Sequence, residues 1–254
     1  DKLAEFIVNK EKEFSDLPEK DVEKAFNKFD NSNYVDEEKV KLTRNLLRRI
    51  YSSFTSRKLL SIKNISYKEV LLKHKSTRER FEHYKEIYRR IFHGIDEANV
   101  FDLGAGVNGF SYPYFIELKL KVNYIGYEAI GQLVSLMNNF FEKNKYNAKA
   151  VKGSLFDLDM IKKMIKSERG TKIVFLMKVI DSLESIERDY SKTLIEEMVN
   201  FSDLIVVSFA TKSLGKRKNF FAQRSWLVNF IKDRFKIVDD FEIAGERYII
   251  FKGN

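Results

Sequence analysis

Past Gly94 the chain changes period, and that change does most to constrain its fold. Short apolar runs, expected as strands, fall at Asn99–Leu103, Val122–Tyr127, Ala148–Lys152, Lys172–Met177, Leu204–Phe209, Phe235–Ile243 and Tyr248–Lys252. Between the earlier runs lie stretches of helical spacing at about 112–120, 130–144, 157–168 and 187–200. Strand–helix alternation calls for parallel strands joined by crossovers, and the final two runs, separated by Ala244-Gly245, predict an antiparallel hairpin at the sheet edge. The fold class is therefore α/β, with a doubly wound sheet over residues 96–254.

Residues 1–95 read differently. They contain one proline, Pro18, and one glycine, Gly94, and their apolar residues recur at helical spacing, as in Leu42, Leu46, Leu47, Ile50 and Phe54, then Phe81, Tyr84, Ile87, Tyr88 and Ile91. An N-terminal helical domain is expected here, with Asp36 capping one helix and Ser76 or Thr77 capping another that runs to Phe92. Charge divides this region sharply. Residues 1–38 carry six basic and twelve acidic side chains, whereas residues 39–95 carry sixteen basic and four acidic, a net +12. A second basic run, five positive charges and no negative one, lies between Lys212 and Arg224. Either segment alone could be a solvated helix face; two of them in a chain of formal charge +9 favour a shared nucleic-acid surface.

Composition removes several chemistries. With no cysteine, the chain cannot use disulfides, Cys-ligated zinc, iron–sulfur clusters or a thiol nucleophile, and no metal site is expected. No apolar run reaches the ~18 residues of a membrane span, and the first twenty residues are too rich in Glu, Asp and Lys for a signal peptide, so a cytoplasmic protein without a membrane partner is expected.

The first strand ends in Asp102-Leu103-Gly104-Ala105-Gly106, where glycines let backbone approach a ligand closely. Asp-x-Gly-x-Gly differs from the dinucleotide fingerprint and resembles motif I of S-adenosylmethionine-dependent methyltransferases. The second strand ends in Glu128, 24 residues past Gly104, a spacing at which a carboxylate can accept both ribose hydroxyls. After the third strand comes Gly153-Ser154-Leu155-Phe156-Asp157, with Ser154 and then Asp157 as candidates to face the adenine amino group.

The segment His74-Lys75-Ser76-Thr77-Arg78-Glu79-Arg80 is similar to the His-x-Ser-Thr-Arg-Glu-Arg segment of the aminoglycoside-resistance 16S rRNA (guanine-N7) methyltransferases. The likeness continues at Phe175–Glu184, at Val207–Arg217 and at Gly245–Ile249, covering about residues 60–254. It implies a Rossmann-like class I methyltransferase sheet, with S-adenosyl-L-methionine held between that sheet and the N-terminal RNA-binding domain. Carried over, His74, Lys75, Ser76 and Arg80 line the cofactor site with Asp102, Gly104, Gly106, Glu128, Ser154, Leu155 and Asp157. A guanidinium such as Arg80 suits bidentate recognition of the donor's methionine carboxylate. Arg78 could equally pair with Glu82 at i+4. Ser154 stands where an acidic residue is usual, which leaves either a shift of its role to Asp157 or a degenerate donor site in an RNA-binding protein.

Guanine N7 carries a free lone pair, so no general base is expected and catalysis can rest on alignment. Phe209 is a candidate to stack on the target base, or else an ordinary core aromatic. Phosphate contacts are expected from Arg44, Arg48, Arg49, Arg57, Lys58 and Lys63, and from Lys212, Lys216, Arg217, Lys218 and Arg224. The expected partner is small-subunit rRNA, or alternatively tRNA, and the chain is expected to be a monomer.

Overall fold

The computed structural model describes residues 16–30, 34–51, 66–211 and 224–254. Seven of the residues expected to contact phosphate lie outside these: Arg57, Lys58 and Lys63, together with Lys212, Lys216, Arg217 and Lys218, belong to segments that are not described. The strands are β1 (Glu97–Leu103), β2 (Lys121–Glu128), β3 (Ala148–Lys152), β4 (Lys172–Met177), β5 (Leu204–Ala210), β6 (Lys236–Ile243) and β7 (Glu246–Lys252). They form one sheet in the order β3-β2-β1-β4-β5-β7-β6, with β1 to β5 parallel and β7 antiparallel to both β5 and β6.

Local chemistry explains the order. Central strands β1, β4 and β5 are almost wholly buried because helices cover both faces, so they read as continuous apolar runs. Edge strand β6 alternates instead. Ala244 and Gly245 both have positive φ, the geometry of a tight two-residue hairpin, and pair Ile243 with Glu246. Every expected strand is present, with its ends moved by no more than two residues.

The helices before the sheet are α1 (Glu19–Asn27), α2 (Asp36–Tyr51), α3 (Tyr67–Lys73), α4 (Lys75–Arg80) and α5 (Tyr84–Ile91). The crossovers and edge carry α6 (Tyr112–Glu117), α7 (Gly131–Asn144), α8 (Leu158–Ser167), α9 (Ile180–Ile186), α10 (Tyr190–Val199) and α11 (Ser225–Arg234). The single helix expected from Ser76 or Thr77 to Phe92 is broken by a 3-10 turn at Phe81–His83. Thr77 does not act as a cap: its hydroxyl donates to Leu71 O at 2.6 Å and His74 O at 3.1 Å, folding α4 back against α3. Helix α9 was not among the expected elements.

Packing runs without a break across the boundary expected at residue 95. Tyr88 of α5 stacks on Phe115 at 4.3 Å between centroids, and Tyr84 donates to Asn108 Oδ1 at 2.8 Å beside the Gly-rich turn. Burying each such ring contributes roughly 1.5–3 kcal/mol, which fixes α5 as part of the sheet's helical layer. Helix α1 packs on α2 and is tied to the start of α8 and the end of α9 by ion pairs of Lys20 with Asp157 (3.0 Å) and Lys24 with Glu187 (2.7 Å). Among the described residues no helix is long and apolar enough to cross a membrane.

Candidate active site

The turn after β1 is built by hydrogen bonds to the end of β2. Gly104 N and Ala105 N donate to Tyr127 O at 2.8 and 3.2 Å, and Gly106 N donates to Glu128 Oε2 at 2.8 Å. Gly104 has φ +77°, and a Cβ there would lie 2.8 Å from Val179 Cγ2, so both conformation and close approach demand glycine. The other Glu128 oxygen accepts from Ile130 N at 3.0 Å. Burial pushes the Glu128 carboxyl above its usual range, while these backbone donors pull the other way. Asp102 anchors the base of the turn, with its Oδ2 accepting from Asn108 Nδ2 and Tyr124 OH, both at 2.7 Å.

One cleft opens above this turn. It brings together His74, Ser76 and Arg80 from the α3–α4 segment with Asp102, Gly104, Gly106, Glu128 and Leu155. Eight of the eleven expected cofactor residues therefore share a cavity although 81 positions separate the first from the last. His74 is buried, and burial together with the Arg80 and Lys178 charges lowers its imidazole to about 4, so it is neutral at physiological pH.

The other three lie elsewhere. Lys75 is exposed and does not line the cleft. Asp157 begins α8, accepting from Met160 N at 3.4 Å, and faces Lys20. Ser154 is buried just behind the cleft wall, its Oγ accepting from Phe156 N at 3.0 Å. A sequence window cannot separate helix-capping from ligand-facing polar residues in a short loop, because both are favoured at the end of a strand.

Arg80 lines the cleft, but its fork is turned inward. Nε and Nη2 donate to Glu246 at 2.8–3.1 Å, and Lys178, itself paired with Glu79, approaches Glu246 at 3.2 Å. The Arg80 and Lys178 charges hold the Glu246 carboxyl below its usual range despite burial. The Nε and Nη2 side of the Arg80 fork is thus closed on Glu246, 166 residues away in sequence, so bidentate recognition of a ligand carboxylate would fall to its Nη1 and Nη2 end.

Arg224 is engaged internally in the same way. It is buried, with Nε donating to Asp181 Oδ1 at 3.0 Å and further bonds to Asp181 and to Ala210 O, so its donors serve the fold. Its guanidinium lies 5.4 Å from the Phe209 ring centroid. Phe209 is buried and lines a different cleft, with Thr211 and Arg247, so it does not face the turn of β1. Arg48 and Arg49 are exposed on α2, and Arg44 is half-buried.

The cleft residues not expected from the sequence include Asp21 of α1 and Tyr51 of α2. Asp21 is buried among the apolar positions Val22, Ala25 and Phe26, and a carboxylate on the apolar stripe of a helix was the readable sign. Burial raises its carboxyl to about 6, partly offset by the Ser154 and Tyr51 hydroxyls.

Strand order, hairpin edge and Gly-rich turn together define a Rossmann-like sheet of the class I methyltransferase type. It superposes with a TM-score of 0.79 on a 16S rRNA methyltransferase, RmtF, solved in complex with S-adenosyl-L-homocysteine, at 22% identity over 100% of this chain and 99% of that one. The model of the ribosomal RNA methyltransferase (FmrO) family matches residues 32–250, and the chain belongs to that family. The 16S rRNA (guanine(1405)-N(7))-methyltransferase of Micromonospora echinospora is 29% identical over 145 residues, 57% of this chain and 49% of that protein. An enzyme of the same name from Proteus mirabilis is 39% identical over 67 residues, 24% of each chain. The chain thus aligns with about half the length of the first of these relatives and about a quarter of the second.

Proposed function

We propose that this protein is an S-adenosyl-L-methionine-dependent RNA methyltransferase that transfers methyl to guanine N7 of small-subunit rRNA. One observation carries the reading: a single cleft joins the Gly-rich turn, the Glu128 carboxylate and the His74–Arg80 segment. The residues present fit the donor chemically. Glu128 offers a buried carboxylate to ribose hydroxyls, Gly104 and Gly106 leave room where side chains would intrude, and Leu155, Phe156 and Ile186 give apolar walls for a flat ring.

When bound, the donor supplies a sulfonium methyl that the N7 lone pair can attack without prior deprotonation. The chain's own work is therefore orientation and exclusion of water. Asp102 stands at the base of the turn, where one oxygen is fixed by Asn108 and Tyr124. Neutral His74 closes over Gly106, its Cε1 3.6 Å from where a Cβ would stand. Glu246 and Lys178 fix Arg80 at the wall, so its charge is placed without a rotamer search on binding. Exposed Arg48 and Arg49 supply a phosphate grip on the helical domain.

The test offers labelled donor with assembled small subunits, naked rRNA and tRNA in parallel. Label in the small subunit is expected. Label confined to tRNA would keep the chemistry and change the substrate, and donor binding with no transfer to any of them would favour an RNA-binding protein.

A further inference from the structure

Helix α1 is tied across the mouth of the cleft at several points. Besides the Lys20–Asp157 and Lys24–Glu187 pairs, Lys28 Nζ donates to Ser185 O at 2.5 Å, and Asp16, just before the helix, pairs with Lys152 at 2.6 Å. These contacts reach the loop after β3 on one side and α9 on the other, which are the two walls holding Leu155, Phe156 and Ile186. The only carboxylate that α1 presents to the cleft is Asp21. Its Oδ1 accepts from Tyr51 OH, while its buried Oδ2 is met among the described residues only by the nearby Ser154 hydroxyl, short of full hydrogen-bond geometry. A buried carboxylate oxygen so weakly satisfied is unfavourable, and a ligand donor would relieve it. Ser154 lies next to it, with Oγ occupied as acceptor by Phe156 N and its own proton left to give.

Building on the methyl-donor reading, we propose that Asp21 accepts the exocyclic amino group of the donor's adenine, the acidic partner that the β3 loop lacks at Ser154. The flat ring lies between the apolar walls, and its amino edge meets the carboxylate where those walls end. The N-terminal domain thereby contributes directly to the cofactor site, and docking of α1 and donor occupancy reinforce each other. Adenine preference is set by a helix that ends at Asn27, far ahead in sequence of the sheet's first residue, Glu97.

The test measures, by calorimetry on the full chain, binding of S-adenosylhomocysteine and of S-inosylhomocysteine, in which a carbonyl oxygen replaces the exocyclic amino group. Wild type should prefer the adenosyl ligand by about tenfold or more, the range for a hydrogen bond to a charged group. Asp21→Asn should abolish most of that preference, because an amide can donate to the inosine oxygen as readily as accept from the amine. A purely structural Asp21 would weaken both ligands equally, and an unchanged preference in Asp21→Asn overturns the proposal. Should that variant not fold, Tyr51→Phe, which removes the hydroxyl on Oδ1, carries the same comparison, with a severalfold drop in preference expected. Wild type that binds neither ligand would overturn the donor-site reading and this inference together; wild type that binds both with no preference overturns the inference alone.

Discussion

Replacing Asp21 by Asn should stabilise the free protein at alkaline pH, although it removes a residue assigned to ligand binding. Burial raises the Asp21 carboxyl from the ordinary 3.8 to about 6. Since the folded-state value is the higher one, the associated stability is fully present below pH 3.8 and is lost as pH rises through 6. The shift of about two units, at ~1.4 kcal/mol each, makes the ionised carboxylate cost ~3 kcal/mol at pH 8. Asn stays neutral and its Oδ1 can still accept from Tyr51, so the variant avoids that cost. Its gain over wild type should grow from ~1 kcal/mol at pH 4.5 to ~3 kcal/mol at pH 8. Urea unfolding of both proteins at a series of pH values reads this difference, in which every other titrating group cancels. A gain independent of pH, or a loss at pH 8, would refute the reasoning. His74 acts in the opposite sense. Its folded value of about 4 lies below the ordinary 6.5, so stability is lost as pH falls between those limits. In wild type the two groups oppose each other over much of the same range, which is why the variant comparison is needed.

The advantage of wild type over His74→Gln should shrink by ~3 kcal/mol between pH 7.5 and pH 4, again read from urea midpoints. Glu246→Gln removes the charge facing buried Arg80 and should cost ~3–5 kcal/mol, and an unchanged midpoint would show that the pair is not structural. In Gly104→Ala the new methyl would press on Val179 at a strained φ of +77°, so affinity for S-adenosylhomocysteine by calorimetry should fall at least ~tenfold. Arg48→Glu should weaken RNA binding across sequences and reduce its salt dependence, measured by filter binding over a salt series; unaltered salt dependence would remove α2 from the phosphate grip.

Much of the sheet was legible because its physics is local. Apolar runs of strand length, Gly104 at a positive φ and the Ala244-Gly245 turn each declare themselves within a few residues. Glu128 was legible for a related reason, since the turn of β1 and the end of β2 sit side by side in any such sheet. The ion pairs of Arg80 and Arg224 were not, because their partners, Glu246 and Asp181, lie 166 and 43 residues away. A basic run records charge and carries no trace of an internal carboxylate. Helix α9 was missed because its seven residues are too few to show a period. Asp21 was hidden within an acidic N-terminal stretch, where one more carboxylate attracts no notice until packing buries it.

The central claim is methyl transfer to guanine N7 in the small ribosomal subunit. It is tested most directly by incubating small subunits with donor and either wild type or Glu128→Ala, digesting the rRNA to nucleosides and quantifying N7-methylguanosine by mass spectrometry. N7-methylguanosine should rise with wild type, and Glu128→Ala should largely abolish that rise. Methylation at another atom, or none in subunits while the wild type binds donor, would contradict it.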